Sequence, residues 1–262
     1  MLNGKKVLLI ITGGIAAYKS LELVRKLKEK GADVIPVMTK AAENFVTPMS
    51  VSALAQEKVF NKLFDLTDEA EMGHIELSRS SDLIIVVPAS ADFIAKTATG
   101  QANDLASTLI LATDTKVLMA PAMNVRMWEN PLTQKNIKIL HNNGVKFVGP
   151  DEGEMACGEF GFGRMAEADE ILKEIEANFR DKKLKGRHFL VTSGPTIEPI
   201  DPVRFIGNRS SGLQGGAIAN ELVESGAEVT FITGPVNLDP PHGSNIIRVE
   251  TADEMYDAVH SS

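Results

Sequence analysis

Cysteine is nearly absent from this chain, with one residue in 262. A single thiol makes no intramolecular disulfide and no cysteine-rich metal site, so no metal centre is expected. Its scarcity fits a reducing, cytoplasmic setting. An excess of positive charge is also missing: the net charge is −8 and the pI about 5.2. Phosphate-backbone binding needs clustered Lys and Arg, which argues against a nucleic-acid partner. Only Asp181–Arg187, DKKLKGR, is locally basic, and it has the composition of a solvated linker. No apolar run approaches the ~18 residues that span a bilayer, so no membrane segment is expected. Lys5-Lys6 followed by Val7–Ile11 resembles the start of a signal peptide, but five apolar residues fall short of a usual h-region. The chain also lacks G-x-G-x-x-G, and no acidic residue closes its second strand, which disfavours a nicotinamide dehydrogenase.

What the chain does contain is a globular balance, 44% hydrophobic and 24% charged, with length for one large or two ordinary domains. Val7–Ile11 predicts a buried strand. Gly13–Ala17 turns into a helix with Leu21, Val24 and Leu27 on one face, ended by Gly31, and Ala32–Thr39 is the next strand. This βαβ start puts a Gly-rich turn at a helix N-terminus, where free N–H groups favour an anion. Met38-Thr39-Lys40 adds a hydroxyl and a cation suited to a terminal phosphate, so a mononucleotide is favoured over a dinucleotide. The bland alternative is a glycine turn that serves backbone geometry alone.

Asn44–Phe64 predicts helices broken at Pro48 and Gln56. His74–Arg79 is a further helix, and a lone histidine there is usually structural or exposed. Leu83–Val87 is an apolar strand closing on Pro88–Asp92, whose small hydroxyl-bearing residues permit close approach of a planar ligand. In Thr97–Asp104, Asn103 or Asp104 either caps the helix Leu105–Ala112 or meets a ligand. The stretch that organises the chain is Ala120–Trp128, APAMNVRMW, after the strand Lys116–Met119. Ligands collect at the carboxyl ends of such strands. Asn124 there can offer two N–H donors and one acceptor to a carboxylate or ring, or can simply cap the next turn.

Leu132–Asn142 and Val145–Val148 predict a helix and a strand. Asp151–Met165, DEGEMACGEFGFGRM, is too glycine-rich for a helix and is expected to be a mobile flap carrying Cys157, either reactive or structural. After the helix Glu167–Phe179 and the linker, a second βαβ pattern starts at His188–Thr192. It continues through a long loop to Gly212, the helix Leu213–Ser225, and strands at Glu228–Thr233 and Asn245–Val249. Thr251 and Glu254 have capping-box spacing. The second unit is expected to be incomplete.

TGGIAAYK, HIELSR, PASADF, TGQANDL, APAMNVRMW and ACGEFGFGRM stand in the order found in the flavin-dependent cysteine decarboxylases, and the chain resembles that family over essentially its whole length. It resembles in particular the branch that joins phosphopantothenoylcysteine decarboxylase to phosphopantothenate–cysteine ligase. The resemblance implies a flavodoxin-like, Rossmann-type doubly wound parallel sheet over residues 1–181, a linker at 182–187, and a partial second Rossmann-like α/β domain over 188–262. It implies FMN as cofactor and homotrimers, commonly assembled into homododecamers. The implied reaction converts 4′-phosphopantothenoylcysteine to 4′-phosphopantetheine in coenzyme A biosynthesis. A plain cysteine carboxylate loses CO₂ badly; flavin-dependent oxidation to a thioaldehyde lets the thiocarbonyl take up the electrons, giving an enethiolate.

By position, His74 matches the family histidine that assists thiol deprotonation and oxidation. Asn124 matches the residue that holds the substrate carboxylate, and Cys157 matches the flap cysteine that protonates the enethiolate. Gly14, Ile15, Ala16, Thr39, Ser90 and Asn103 fall where FMN contacts are expected, and Met127 where substrate is. In the ligase-like part, Arg204 and Asn208 match positions near an acyl-cytidylate. The family's usual SSGK is here Ser210-Ser211-Gly212-Leu213, one cation short. CTP and Mg²⁺ would serve a ligase only in a full-length chain; none is expected from these residues by themselves. The rivals are a peptidyl-cysteine decarboxylase, disfavoured by the ligase-like segment, and a catalytically idle regulatory protein on the same fold, disfavoured by having His74, Asn124 and Cys157 together.

Overall fold

The computed structural model describes residues 2–63, 74–155, 158–180 and 182–262, without the side chains of 74–76. The chain divides into two compact units, Met1–Asn178 and Phe179–Ser262.

The first unit is built on five parallel strands: β1 (Lys6–Ile11), β2 (Asp33–Met38), β3 (Leu83–Ala89), β4 (Val117–Pro121) and β5 (Lys146–Phe147), in the order β2-β1-β3-β4-β5. Both faces are covered, which is why β3 and β4 are buried at every position and show no alternation. On one face lies α1 (Ala17–Glu29), flanked by α8 (Ala168–Phe179) through Lys26–Asp169 and Lys30–Glu176 ion pairs. On the other, α3 (His74–Arg79), α4 (Ala91–Ala98), α5 (Leu105–Ala112) and α7 (Pro131–Asn142) enclose a core that includes Leu8, Ile10, Ile84, Val86, Phe93, Leu109 and Met119.

Local differences from expectation have local causes. The buried stripe of α1 runs through Ser20, Leu23, Val24 and Leu27, not Leu21, because the Ser20 hydroxyl donates to the Val87 carbonyl at 2.6 Å. Pro48 does not break a helix but starts α2 (Pro48–Ala55) behind a Thr47 cap, since proline's missing N–H is harmless in the first turn. Gln56 ends α2 in the left-handed region, and the chain then runs on to a parallel bridge between Phe60 and Val37. β3 continues through Pro88, beyond its pairing with β1, which stops at Val86. The glycine-rich run expected to be a flap forms an antiparallel pair, β6 (Asp151–Glu154) and β7 (Phe160–Arg164), docked beside α6 (Val125–Glu129).

The second unit has the parallel sheet β12-β11-β8, with β8 at His188–Ser193, β11 at Glu228–Thr233 and β12 at Asn245–Arg248. Its helices are α9 (Leu213–Glu224) and α10 (Ala252–Ser261), and the Thr251/Glu254 capping box is formed. The loop after β8 holds an unexpected hairpin, β9 (Ile197–Pro199) with β10 (Phe205–Gly207). The core is small, centred on Ala219, Ala227, Val229 and Phe231.

Candidate flavin and substrate clefts

The order 2-1-3-4-5 reverses direction between β1 and β3, and ligands of such sheets sit outside the carboxyl ends at that point. Thr12 ties the two strand ends together there. Its buried hydroxyl donates to the Pro88 carbonyl at 2.7 Å and accepts the Ser90 N–H at 3.0 Å. Around this crosslink opens a cleft of about 820 Å³, lined by Gly14, Thr39, Ser90, Met127 and other residues from the carboxyl ends of β1 to β4.

The two glycines of the β1–α1 turn serve different purposes. A Cβ on Gly13 would stand 2.5 Å from that of Ala41, so the close passage of the loop after β2 requires glycine. Gly14 has no positive φ, and a Cβ there would meet nothing within 4 Å. The space it leaves open is the cleft itself, a cradle that a side chain would begin to fill. That fits a group laid against the backbone, as a flavin mononucleotide would be.

The polar rim is partly committed. The Ser90 hydroxyl caps α4 by accepting the Phe93 N–H, and Asp104 caps α5 in a capping box with Ser107. Asn103 is exposed and is not among the residues lining the cleft. Lys96 reaches Asp92 at 3.2 Å and Asp104 at 3.5 Å. Burial works against its charge, but the hydrogen bonds and attraction of Asp92 and Asp104 outweigh that and hold Lys96 above the ordinary ammonium range. Thr39 takes the Ala42 N–H, next to exposed Lys40.

A second cleft, about 660 Å³, adjoins the first and shares Gly14, Ala122 and Met123 with it. Ile15, Ala16 and Asn124 line it. Asn124 is the N-cap of α6, with its side-chain carbonyl accepting the Met127 N–H at 2.8 Å. Its acceptor is therefore used locally, leaving the amide's two N–H donors for a ligand. The hairpin closes over this segment: the Met123 N–H donates to the Gly163 carbonyl at 3.0 Å. Gly161 and Gly163 both have positive φ, and a Cβ on either would strike Val125 or the Met123 carbonyl. Those glycines answer to a close approach.

His74 opens α3, and its side chain lies outside the described residues, as does Cys157. Arg204 and Asn208 belong to the second unit. The Arg204 guanidinium pairs with Asp201 at 2.6 Å. The Val203 and Arg204 N–H groups, with that guanidinium, hold the Asp201 carboxyl below its usual range. Asn208 accepts the Ser210 N–H at 2.9 Å, and Leu213, at the start of α9, is exposed. Sequence reasoning missed Thr12, Lys96, Lys19 and Arg164; for Thr12, a hydroxyl between a strand and Gly-Gly was the available signal.

A doubly wound parallel sheet with adjoining clefts at its switch point defines a flavodoxin-like α/β protein. Residues 1–180 match the family model described as Flavoprotein, and the chain belongs to the flavoprotein family. Residues 184–262 match the DNA/pantothenate metabolism flavoprotein C-terminal domain. The chain is 50% identical over 258 residues to the coenzyme A biosynthesis bifunctional protein CoaBC of Vibrio vulnificus strain YJ016, covering 98% of this chain and 64% of that protein. It is 47% identical to the protein of that name from Escherichia coli K12, over 100% of this chain and 64% of that protein. The chain thus spans just under two thirds of the length of these curated relatives. Among solved structures, a PPC decarboxylase mutant complexed with pantothenoylaminoethenethiol superposes with a TM-score of 0.59 at 30% identity, covering 66% of this chain and 97% of that one. The FMN binding protein AtHal3 gives 0.58 at 30% identity, covering 68% and 97%.

Proposed function

We propose that residues 1–181 form an FMN-dependent carboxy-lyase that converts 4′-phosphopantothenoylcysteine to 4′-phosphopantetheine in coenzyme A biosynthesis. The observation that carries this is the pair of adjoining clefts, one cradled by Gly14 at the switch point and the other presenting the Asn124 amide. When bound, FMN supplies the reversible two-electron oxidation that a cysteine carboxylate needs in order to lose CO₂.

The residues divide the work by chemistry. Gly14, Ile15, Ala16, Thr39 and Ser90 would hold the cofactor, with Asn103 at the margin. The Asn124 donors would orient the substrate carboxylate and Met127 would pack against the substrate. His74 would assist removal of the thiol proton, and Cys157 would return a proton to the enethiolate carbon. Removal of Cys157 should stop the reaction after CO₂ has left.

The active unit is a homotrimer, assembled as a homododecamer, working in the cytoplasm. Residues 188–262, joined through 182–187, would contribute Arg204 and Asn208 to a phosphopantothenate–cysteine ligase using CTP and Mg²⁺ in a longer chain. The test is a visible spectrum of the purified protein followed by anaerobic turnover. Bound flavin, CO₂ from phosphopantothenoylcysteine, and an unreduced enethiol accumulating in Cys157→Ser are expected. A protein that cannot be loaded with FMN would defeat this function.

A further inference from the structure

The two clefts differ in the charge of their internal networks. In the first, one cation, Lys96, is shared by two carboxylates, Asp92 and Asp104. In the second, two cations share one carboxylate. Lys19, on α1, places its ammonium 2.9 Å from Glu167 Oε1 and 3.2 Å from the Met165 carbonyl. Arg164, at the end of β7, reaches the same Glu167 oxygen with Nη2 at 2.5 Å. Two cationic groups from separate elements thus converge on one point, and both line the cleft that Asn124 lines. Among the described residues the only other charged one lining it is Glu154, which is exposed and pairs with neither cation.

We propose that Lys19 and Arg164 are the specificity-determining residues that receive the phosphate of a phosphorylated substrate whose carboxylate is held by Asn124. This rests on the decarboxylase reading above. The cleft is lined by the Asn124 N–H donors at the start of α6 and by paired cations from α1 and β7. Ala122, Met123, Met155 and Met165 give it an apolar lining. That pattern matches a molecule with an anion at each end and a neutral middle. A dianionic phosphate is better served by a guanidinium and an ammonium together than by either one. Lys19 is already held in place: its side chain is only 11% exposed, so little ordering is left for the ligand to impose. Glu167 holds the two cations together and competes with the phosphate for them.

The test compares kcat/KM for phosphopantothenoylcysteine with that for its unphosphorylated counterpart, pantothenoylcysteine, using the flavin-loaded protein. Lys19→Met and Arg164→Met should each lower the ratio of the two at least tenfold, through KM and not kcat. Lys19→Arg should restore most of it. Glu167→Gln should raise the ratio, because a competing charge is removed. A ratio unchanged in both methionine variants, with both substrates losing equally, would show a purely structural role and overturn the proposal. The same outcome follows if either variant instead loses its preference for FMN over riboflavin, which would put the cofactor's phosphate at these cations. Absence of CO₂ from either substrate with loaded wild-type protein would overturn the decarboxylase reading, and this proposal with it.

Discussion

The side-chain carbonyl of Asn124 accepts the backbone N–H of Met127 at 2.8 Å. The capping role of this residue and the ligand-binding role proposed for it therefore fall to opposite ends of one amide. Capping uses the side-chain carbonyl and leaves the N–H donors, which suit an acceptor such as a carboxylate.

Asn124→Asp separates the two roles. Aspartate caps as well as asparagine, so thermal stability should change by less than about 1 kcal/mol. The donors are lost and a charge opposes the substrate carboxylate, so CO₂ release should fall at least a hundredfold. Retention of more than a tenth of the activity would count against the assignment.

The neighbouring glycines predict opposite phenotypes. Gly13→Ala forces a Cβ against Ala41 and should cost about 1–3 kcal/mol in urea unfolding of the apoprotein. Gly14→Ala meets nothing and should leave apoprotein stability unchanged, while FMN affinity, followed by flavin fluorescence quenching, drops at least tenfold. An unchanged affinity in Gly14→Ala would mean that the open space is not a cofactor cradle.

Gly163→Ala combines a positive φ with a collision against the Met123 carbonyl. The Met123–Gly163 hydrogen bond should break and the hairpin should lift from α6. Limited proteolysis between Met155 and Glu159 should accelerate severalfold relative to wild type, with global stability lowered by about 1–3 kcal/mol. Equal cleavage rates would show that the hairpin is not anchored there.

The hydrogen bond from Lys19, helped by Arg164 and opposed by burial, holds the Glu167 carboxyl below its usual range. Its folded pKa is thus lower than its unfolded one, near 4.5. Its stabilising contribution is complete above the unfolded pKa and lost as pH falls through the folded one. Glu167 is half-exposed, so Glu167→Gln should cost no more than the ~0.2–1 kcal/mol of a solvent-accessible pair at pH 7. The gap between the urea curves of wild type and variant should narrow as pH falls from neutrality through the lowered carboxyl pKa; a gap that does not narrow would assign the effect to packing.

Much of this protein was determined locally and so is legible in the chain. Apolar runs such as Leu83–Val87 have the length and branching of buried strands, Gly13-Gly14 marks a turn, and Ala120–Trp128 follows a strand end. These depend on neighbours in sequence, as do capping by Asp104 and Thr251. What residues distant in sequence do to one another was decided only by the tertiary structure. Proline at position 88 looked like a strand end, yet β3 runs through it because Thr12 and Ser20 satisfy the carbonyls of Pro88 and Val87. Glycines 161 and 163 suggested mobility, but they allow a hairpin to press on Met123 and Val125. Lys19 and Glu167 lie 148 residues apart, and no pattern in the sequence marks them as partners. The alternation of a strand or the turn of a helix is set by a few adjacent bonds. The meeting of Lys19 with Glu167 is set by how the sheet is wound.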